Sequence, residues 1–187
     1  RPIGIGEVIR RIIGKTVIAT VKSQIVQCAG PLQLCAGQRS VCEAAVHAMM
    51  QAFDQDESEA ILLVDAANAF NSINRNVLLH NIQYLCPVLA IYTINCYQSP
   101  SRLFVQGGKE VSSAEGTTQG DPIAMPLYAI SITPLLREIK DPDSKVTQAA
   151  FADDLAGAGK LQQLLTWWNN IVEYGPLLGY NPQADKS

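Results

Sequence analysis

No Cys-x-x-Cys pair occurs in this 187-residue chain, and its only two histidines, His47 and His80, complete no zinc spacing with the five cysteines. Cys28, Cys35, Cys42, Cys86 and Cys96 are an odd set, which predicts buried, reduced thiols. The seven-residue steps from Cys28 to Cys42 align nothing, because Gly30, Pro31 and Gly37 interrupt any helix. Long apolar runs are lacking too. The longest mostly apolar stretch, Pro122 to Leu136, is broken by Ser131, Thr133 and three prolines and is too short to span a bilayer. No signal peptide opens the chain, so an intracellular protein, in nucleus or cytoplasm, is expected. An initiator Met is also missing, which with the length of one domain or slightly more leads us to expect an excerpt of a longer chain.

An overall excess of basic residues is absent: the net charge is −3, short of the footprint of a duplex-binding protein. Its distribution is uneven. Residues 1–45 carry six basic and two acidic side chains, a net of +4 that leaves −7 for the remainder. Glycine-rich phosphate loops are missing as well. Gly14-Lys15-Thr16 imitates the end of a P-loop, yet the required first glycine falls at Ile9, where a dinucleotide fingerprint from Gly4-Ile5-Gly6 also fails. In the acidic run Asp54, Asp56, Glu57, Glu59, a calcium loop would need Gly where Glu59 stands, so a solvated turn is expected.

What the chain does have is acid at the ends of apolar runs. Ile61 to Val64 stop at Asp65, and Ala149 to Ala152, small or apolar, stop at Asp153-Asp154; both read as short buried strands. Carboxylates there are costly without a positive partner, and adjacent ones repel. A divalent cation resolves both costs. Hard oxygen ligands suit Mg²⁺, with Mn²⁺ an alternative, and a two-metal site of this kind supports in-line phosphoryl transfer. Taken alone, an Asp-Asp pair is more often a solvated turn.

A third island decides between these readings. Gly116-Thr117-Thr118-Gln119-Gly120-Asp121-Pro122 lies between the first two. In this order the islands resemble the reverse transcriptase family: Asp65 with Phe70 is similar to its first motif, Gln119-Gly120-Asp121-Pro122 to its second, and Phe151-Ala152-Asp153-Asp154 to its third. Upstream, Arg1-Pro2-Ile3 with Lys15 and the segment Gln33 to Ala48 resemble the fingers of non-LTR retroelement and group II intron enzymes. Downstream, Leu178-Gly179 and Lys186-Ser187 resemble a fourth motif. Two departures stand out: Asn71 follows Phe70 where these relatives often have Asp, and five steps rather than about three separate Asn181 from Lys186.

The resemblance implies an α+β right-hand polymerase palm, an antiparallel sheet with helices on one face, over residues 59–187, with partial fingers over 1–58 and no thumb. It further implies RNA-directed DNA synthesis, with an RNA template, a primer and dNTPs as partners. Asp65, Asp153 and Asp154 would hold two Mg²⁺, Gln119 and Gly120 shape the nucleotide pocket, Arg1 and Lys15 meet the triphosphate, and Lys186 protonate pyrophosphate. Phe70 is either a ring closing the pocket beneath the sugar or a core residue. Arg10 and Arg11 are either functional cations or a solvated helix face. Two other classes stay open: a decayed or domesticated RNA-binding palm, and another palm nucleotidyltransferase such as an RNA polymerase or a nucleotide cyclase.

Period and punctuation give the layout. Helices are predicted over residues 4–22, 38–53, 73–85, 122–140 and 160–174, with Pro87 ending the third and Gly175-Pro176 the last. A strand is expected over 60–66, a hairpin around Gly107-Gly108 and a second with the acid pair at its turn. Adjacent tryptophans on a helix diverge, so at least one of Trp167 and Trp168 should be core.

Overall fold

The computed structural model describes residues 5–36, 41–54, 58–140 and 145–187. Arg1, among the expected triphosphate contacts, lies outside them. The N-terminal helical reading resolves into two helices, α1 (Val8–Thr20) and α2 (Lys22–Ala29), rather than one over 4–22. They meet at Val21, whose φ of −111° and ψ of 21° break the regular turn. β-branched residues crowd this joint, and the hydroxyls of Thr16 and Thr20 donate to the carbonyls of Ile12 and Thr16, a local bonding that bends helices. α3 (Val41–Phe53) follows.

β1 (Ala60–Val64) stops before Asp65. Pairing continues beyond it with a different partner, since Ala66 bridges Pro182 and Ala67 N–H donates to the Asn181 carbonyl at 2.9 Å. A short helix, α4 (Ala69–Ser72), carries Phe70. α5 (Arg75–Leu85) is capped by Asn74, whose side chain accepts from Val77 N–H. α5 ends at Leu85, ahead of Pro87, as predicted, but Pro87 also opens a further helix that was not expected, α6 (Pro87–Tyr97), where its missing N–H is harmless.

The glycine hairpin, β2 (Ser101–Val105) and β3 (Lys109–Ser113), stands apart as a two-stranded ribbon. α7 (Ala124–Glu138) is almost wholly buried and runs through Pro126 and Pro134. β4 (Thr147–Phe151) and β5 (Asp154–Gly159) complete a three-stranded antiparallel sheet in the order β1-β5-β4. Side chains of its strands alternate between a main core, which holds Val64, Ala150 and Leu155 with α7 and α8 (Leu161–Leu178), and a smaller patch where Ala158 meets Met49 and Ala52 of α3. Trp167 is 1% exposed, its Nε1–H donates to Gln148 Oε1 at 2.8 Å, and its ring packs where Gly157 has no side chain.

α8 passes through Gly175-Pro176, where the sequence predicted a stop. It ends instead at Gly179, in the left-handed region with φ 86°. Tyr180 N–H donates to the Gly175 carbonyl and Gly179 N–H to that of Pro176, a Schellman closure that turns the chain back beneath the sheet. Among the described residues no helix is long and apolar enough to cross a membrane. All five cysteines are free, but only Cys86 is fully buried and Cys42 is exposed, contrary to the expectation of a uniformly buried set. Cys42 follows Val41 in the first turn of α3, whose buried side is formed by Val41, Met49 and Ala52, and so falls on the exposed side of that helix.

Candidate active site

The sheet register brings the two acidic islands together. The antiparallel β1–β5 ladder ends at the pair Val64–Leu155, so Asp65 and Asp154, the residues adjoining that pair, lie at the same end of the sheet. On the other side Phe151 pairs with Asp154, leaving Ala152-Asp153 as a two-residue turn. Ala152 has φ 55°, so this turn has the positive first position of the primed hairpin types that usually take glycine. Asp153 is buried at 6% exposure, while Asp154 is exposed.

The C-terminal segment closes on this edge. Gln183 N–H donates to the Asp65 backbone carbonyl at 2.9 Å, and a turn of 3₁₀ helix over Ala184–Lys186 swings the Lys186 ammonium to 3.9 Å from Asp65 Oδ2. Tyr180, delivered by the end of α8, donates its hydroxyl to the Asp153 carbonyl at 2.9 Å. Burial, then the negative charge of Asp153, Asp154 and Asp65, pushes the Tyr180 phenol well above its usual range, keeping it a neutral donor. Gly179 and Leu178 grip the loop that follows Asp65: Ser72 donates its hydroxyl to the Gly179 carbonyl at 2.9 Å, and Asn74 N–H bonds the Leu178 carbonyl at 2.8 Å.

All three acids offer hard carboxylate oxygens, the donors that Mg²⁺ prefers, and all three act electrostatically on one phenol. Yet among the described residues no three His, Cys, Asp or Glu side chains converge as a metal cage. Like charges repel without a cation between them, and Lys186 offers Asp65 another counter-charge. The chemistry of the donor set suits a divalent cation, while the carboxylates are not closed into a cage.

A cavity of about 370 Å³ opens beside the acid pair, lined by Phe70, Gln119, Gly120, Met125, Asp153 and Asp154 among others. Phe70 stacks on Tyr128 with ring centroids 4.4 Å apart, so it is a core ring that also borders the cavity. Gln119 Oε1 is buried without a hydrogen-bond partner. Asp121, by contrast, is fully engaged. It accepts from Arg10 at 2.8 Å, from the Tyr97 hydroxyl at 2.9 Å and from Ile123 N–H at 3.2 Å, tying α1 to the start of α7.

The two readings of the α1 cations thus part. Arg10 is an anchor: although burial opposes its charge, Asp121 raises its pKa overall. Lys15 is exposed, does not line the cavity and is not brought to the acids. The sequence also gave no weight to Arg75, which is 5% exposed and donates to the carbonyls of Ser113, Glu115 and Gly116, fixing the approach to Gln119. Nor did it single out Gln33. That side chain, 0% exposed, receives the Ala152 N–H on Oε1 at 2.9 Å and donates Nε2–H to the Ala152 carbonyl at 3.0 Å. A basic residue after a helix-capping Asn, and a glutamine between leucines, are the only sequence signals of either role.

The family model described as "Reverse transcriptase (RNA-dependent DNA polymerase)" matches residues 1–175. Comparison with curated proteins returns no match. Among solved structures, telomerase from Candida albicans in complex with a fragment of telomeric RNA superposes with a TM-score of 0.60 at 10% identity, over 95% of this chain and 34% of that one. Apo telomerase from Candida tropicalis gives 0.64 at 9% identity, over 94% and 34%. These likenesses show the shared fold, and the chain spans about a third of the length of each.

Proposed function

Because this chain belongs to the reverse transcriptase family, we propose that it is the catalytic part of an enzyme extending a DNA primer with dNTPs on an RNA template. Residues 1–58 serve as partial fingers and 59–187 as the palm. The observation that carries this reading is the β1–β5 register, which puts Asp65 at the same sheet end as the Asp153-Asp154 hairpin, whose two acids line a cavity of about 370 Å³. The RNA bound in the Candida albicans telomerase structure supports an RNA partner here.

Asp65 and Asp153 would hold two Mg²⁺, or Mn²⁺, with Asp154 completing the acidic cluster. Bound there, the ions would supply Lewis-acid activation of the primer 3′-hydroxyl and neutralise charge on the triphosphate and departing pyrophosphate. The remaining roles fall to the chain itself. Phe70 and Gly120 bound the space for the sugar, and the unpartnered Gln119 oxygen offers an acceptor to a nucleotide donor. Lys186, held at Asp65, carries a proton that a leaving pyrophosphate oxygen can take. Lys15, which is exposed, and Arg1, which lies outside the described residues, remain the cations proposed for the triphosphate.

Extension of a DNA primer by the full-length protein on matched RNA and DNA templates, with and without EDTA, tests the proposal. Chelator-sensitive dNTP incorporation on RNA is expected. RNA binding without synthesis would favour a non-catalytic palm, and preferential ribonucleotide incorporation an RNA polymerase.

A further inference from the structure

Gln33 lies 120 residues from Asp153 in sequence, on a segment that runs alongside β4. Leu34 N–H donates to the Ala150 carbonyl at 2.8 Å and Ala150 N–H to that of Leu32 at 3.1 Å, a single parallel bridge centred on Gln33 and Ala150. The backbone pairing goes no further. At the next outward-facing position, Ala152, the carboxamide of Gln33 supplies both the acceptor and the donor that a continuing strand would have supplied. Ala152 is 5% exposed, so its N–H and carbonyl would otherwise be buried without partners. It is also one of only two described non-glycine residues with positive φ, a conformation its Cβ disfavours. A two-sided amide pair is what over-determines such a conformation. Resting on the polymerase reading of Asp153, we infer that Gln33 is a positioning residue of the active site: by clamping both polar groups of Ala152 it holds the hairpin in the left-handed turn that aims Asp153.

Tyr180 grips the next residue from the opposite side of the sequence, through the Asp153 carbonyl. The two contacts are not equivalent. Tyr180 fixes where the peptide after Asp153 lies, whereas Gln33 fixes the dihedral angles before it, and these set the direction in which the Asp153 side chain leaves the turn.

The test uses the full-length protein in single-turnover primer extension, with a second-site suppressor. Gln33→Leu keeps the volume and removes both hydrogen bonds. Its maximal rate should fall at least about tenfold, since misplacement near 1 Å costs up to about a hundredfold, with KM for dNTP and primer–template affinity unchanged. Ala152→Gly removes the penalty on positive φ, so in the Gln33→Leu background it should restore a large part of that rate. A purely structural glutamine predicts no such rescue, and an unchanged rate in folded Gln33→Leu would overturn the inference, as would failure of Ala152→Gly to restore any of a lost one. Should Gln33→Leu not fold, amide exchange of the wild-type protein decides: the Ala152 N–H should be protected like a strand interior, and exchange at the rate of a free loop overturns the clamp. If the wild-type protein makes no DNA at all, the polymerase reading fails on that result, while the Ala152 exchange still tests the clamp.

Discussion

Cutting Phe70 back to valine separates a packing role from a substrate-selecting one, and the structure gives magnitudes for both. The ring is 8% exposed and stacked on Tyr128 at 4.4 Å, with an interplanar angle of 23°. Losing about 60 Å² of buried apolar surface costs roughly 1.5 kcal/mol. A residual cavity of about 50 Å³ adds roughly 1 kcal/mol. The stacked pair contributes about 0.5–1.5 kcal/mol beyond its area. These terms overlap, so Phe70→Val should destabilise by about 3 kcal/mol, lowering Tm by roughly 6–12 °C in a chain of this size. The same ring borders the cavity with Gln119 and Gly120, and under the proposed function a ribose 2′-hydroxyl would have to fit against it. Removing it should raise ribonucleotide relative to deoxyribonucleotide incorporation by about 10–100-fold, the worth of relieving one steric clash. The assay is paired kcat/KM for one ribonucleotide and its deoxy counterpart on a single template, below the variant's lowered Tm. Tyr128→Phe serves as the control, since it leaves the ring pair intact while deleting a buried hydroxyl that has no hydrogen-bond partner. It should be neutral or stabilising and leave discrimination unchanged. A discrimination ratio for Phe70→Val within about twofold of wild type, alongside a lowered Tm, refutes the gate. An unchanged Tm refutes the packing argument.

Asp153→Asn removes one charge from the acidic cluster and should abolish extension while leaving Tm equal or slightly higher without metal; unaltered Mg²⁺-dependent synthesis would refute the assignment. In thiol labelling at pH 8, exposed Cys42 should react first, because burial pushes the Cys35 thiol up to about 11 and that of Cys86 to about 12; equal rates at Cys35 and Cys42 would contradict this. Gly157→Ala would set a Cβ 3.0 Å from the Trp167 ring, which is buried and tied to Gln148, so a loss of about 1–3 kcal/mol is expected in thermal unfolding, and a wild-type Tm would show that the ring yields. Residues 59–187 expressed alone should lack a cooperative melt, since Val21, Ile25, Ala29 and Ala36 belong to the main core; a melt like that of the whole chain would show the N-terminal segment to be dispensable.

The acidic islands were legible because charge at the end of an apolar run is costly and therefore informative, and the strands around them formed within a residue or two of expectation. Proline misled in both directions. Pro87 reads as a stop, but a helix can begin on it, so α6 went unseen. Gly175-Pro176 reads as a stop too, yet Gly175 leaves room for Tyr180 to fold back and close the helix three residues later in a Schellman cap, so the local closure sets the end after Pro176 rather than before it. The grouping of strands was hidden for a related reason: nothing in the β2–β3 hairpin states that it stands apart from the sheet. Among the cations, the family resemblance pointed to Lys15, whereas the depth of Arg10 and its pairing to Asp121 depend on how α1 docks. Gln33 was invisible as a site residue because its partner is backbone, and backbone carries no sequence signal.

Neither Asp65 nor Asp153 is held in place by its own strand alone. The Asp65 carbonyl is bonded by Gln183, Asp153 is fixed through Tyr180 on one side and Gln33 on the other, and the loop after Asp65 is gripped by Leu178 and Gly179. Such dependence has a physical reason. Three neighbouring carboxylates repel, and the repulsion is largest before any cation arrives, so the strands that bear them need restraints drawn from elsewhere in the fold. Neutral donors and acceptors serve that purpose better than ion pairs, because they hold backbone while leaving the carboxylates themselves available. Gln33 and Tyr180 are of this kind, whereas Lys186 stays at 3.9 Å from Asp65 and remains 65% exposed, close enough to offset charge and loose enough to give way.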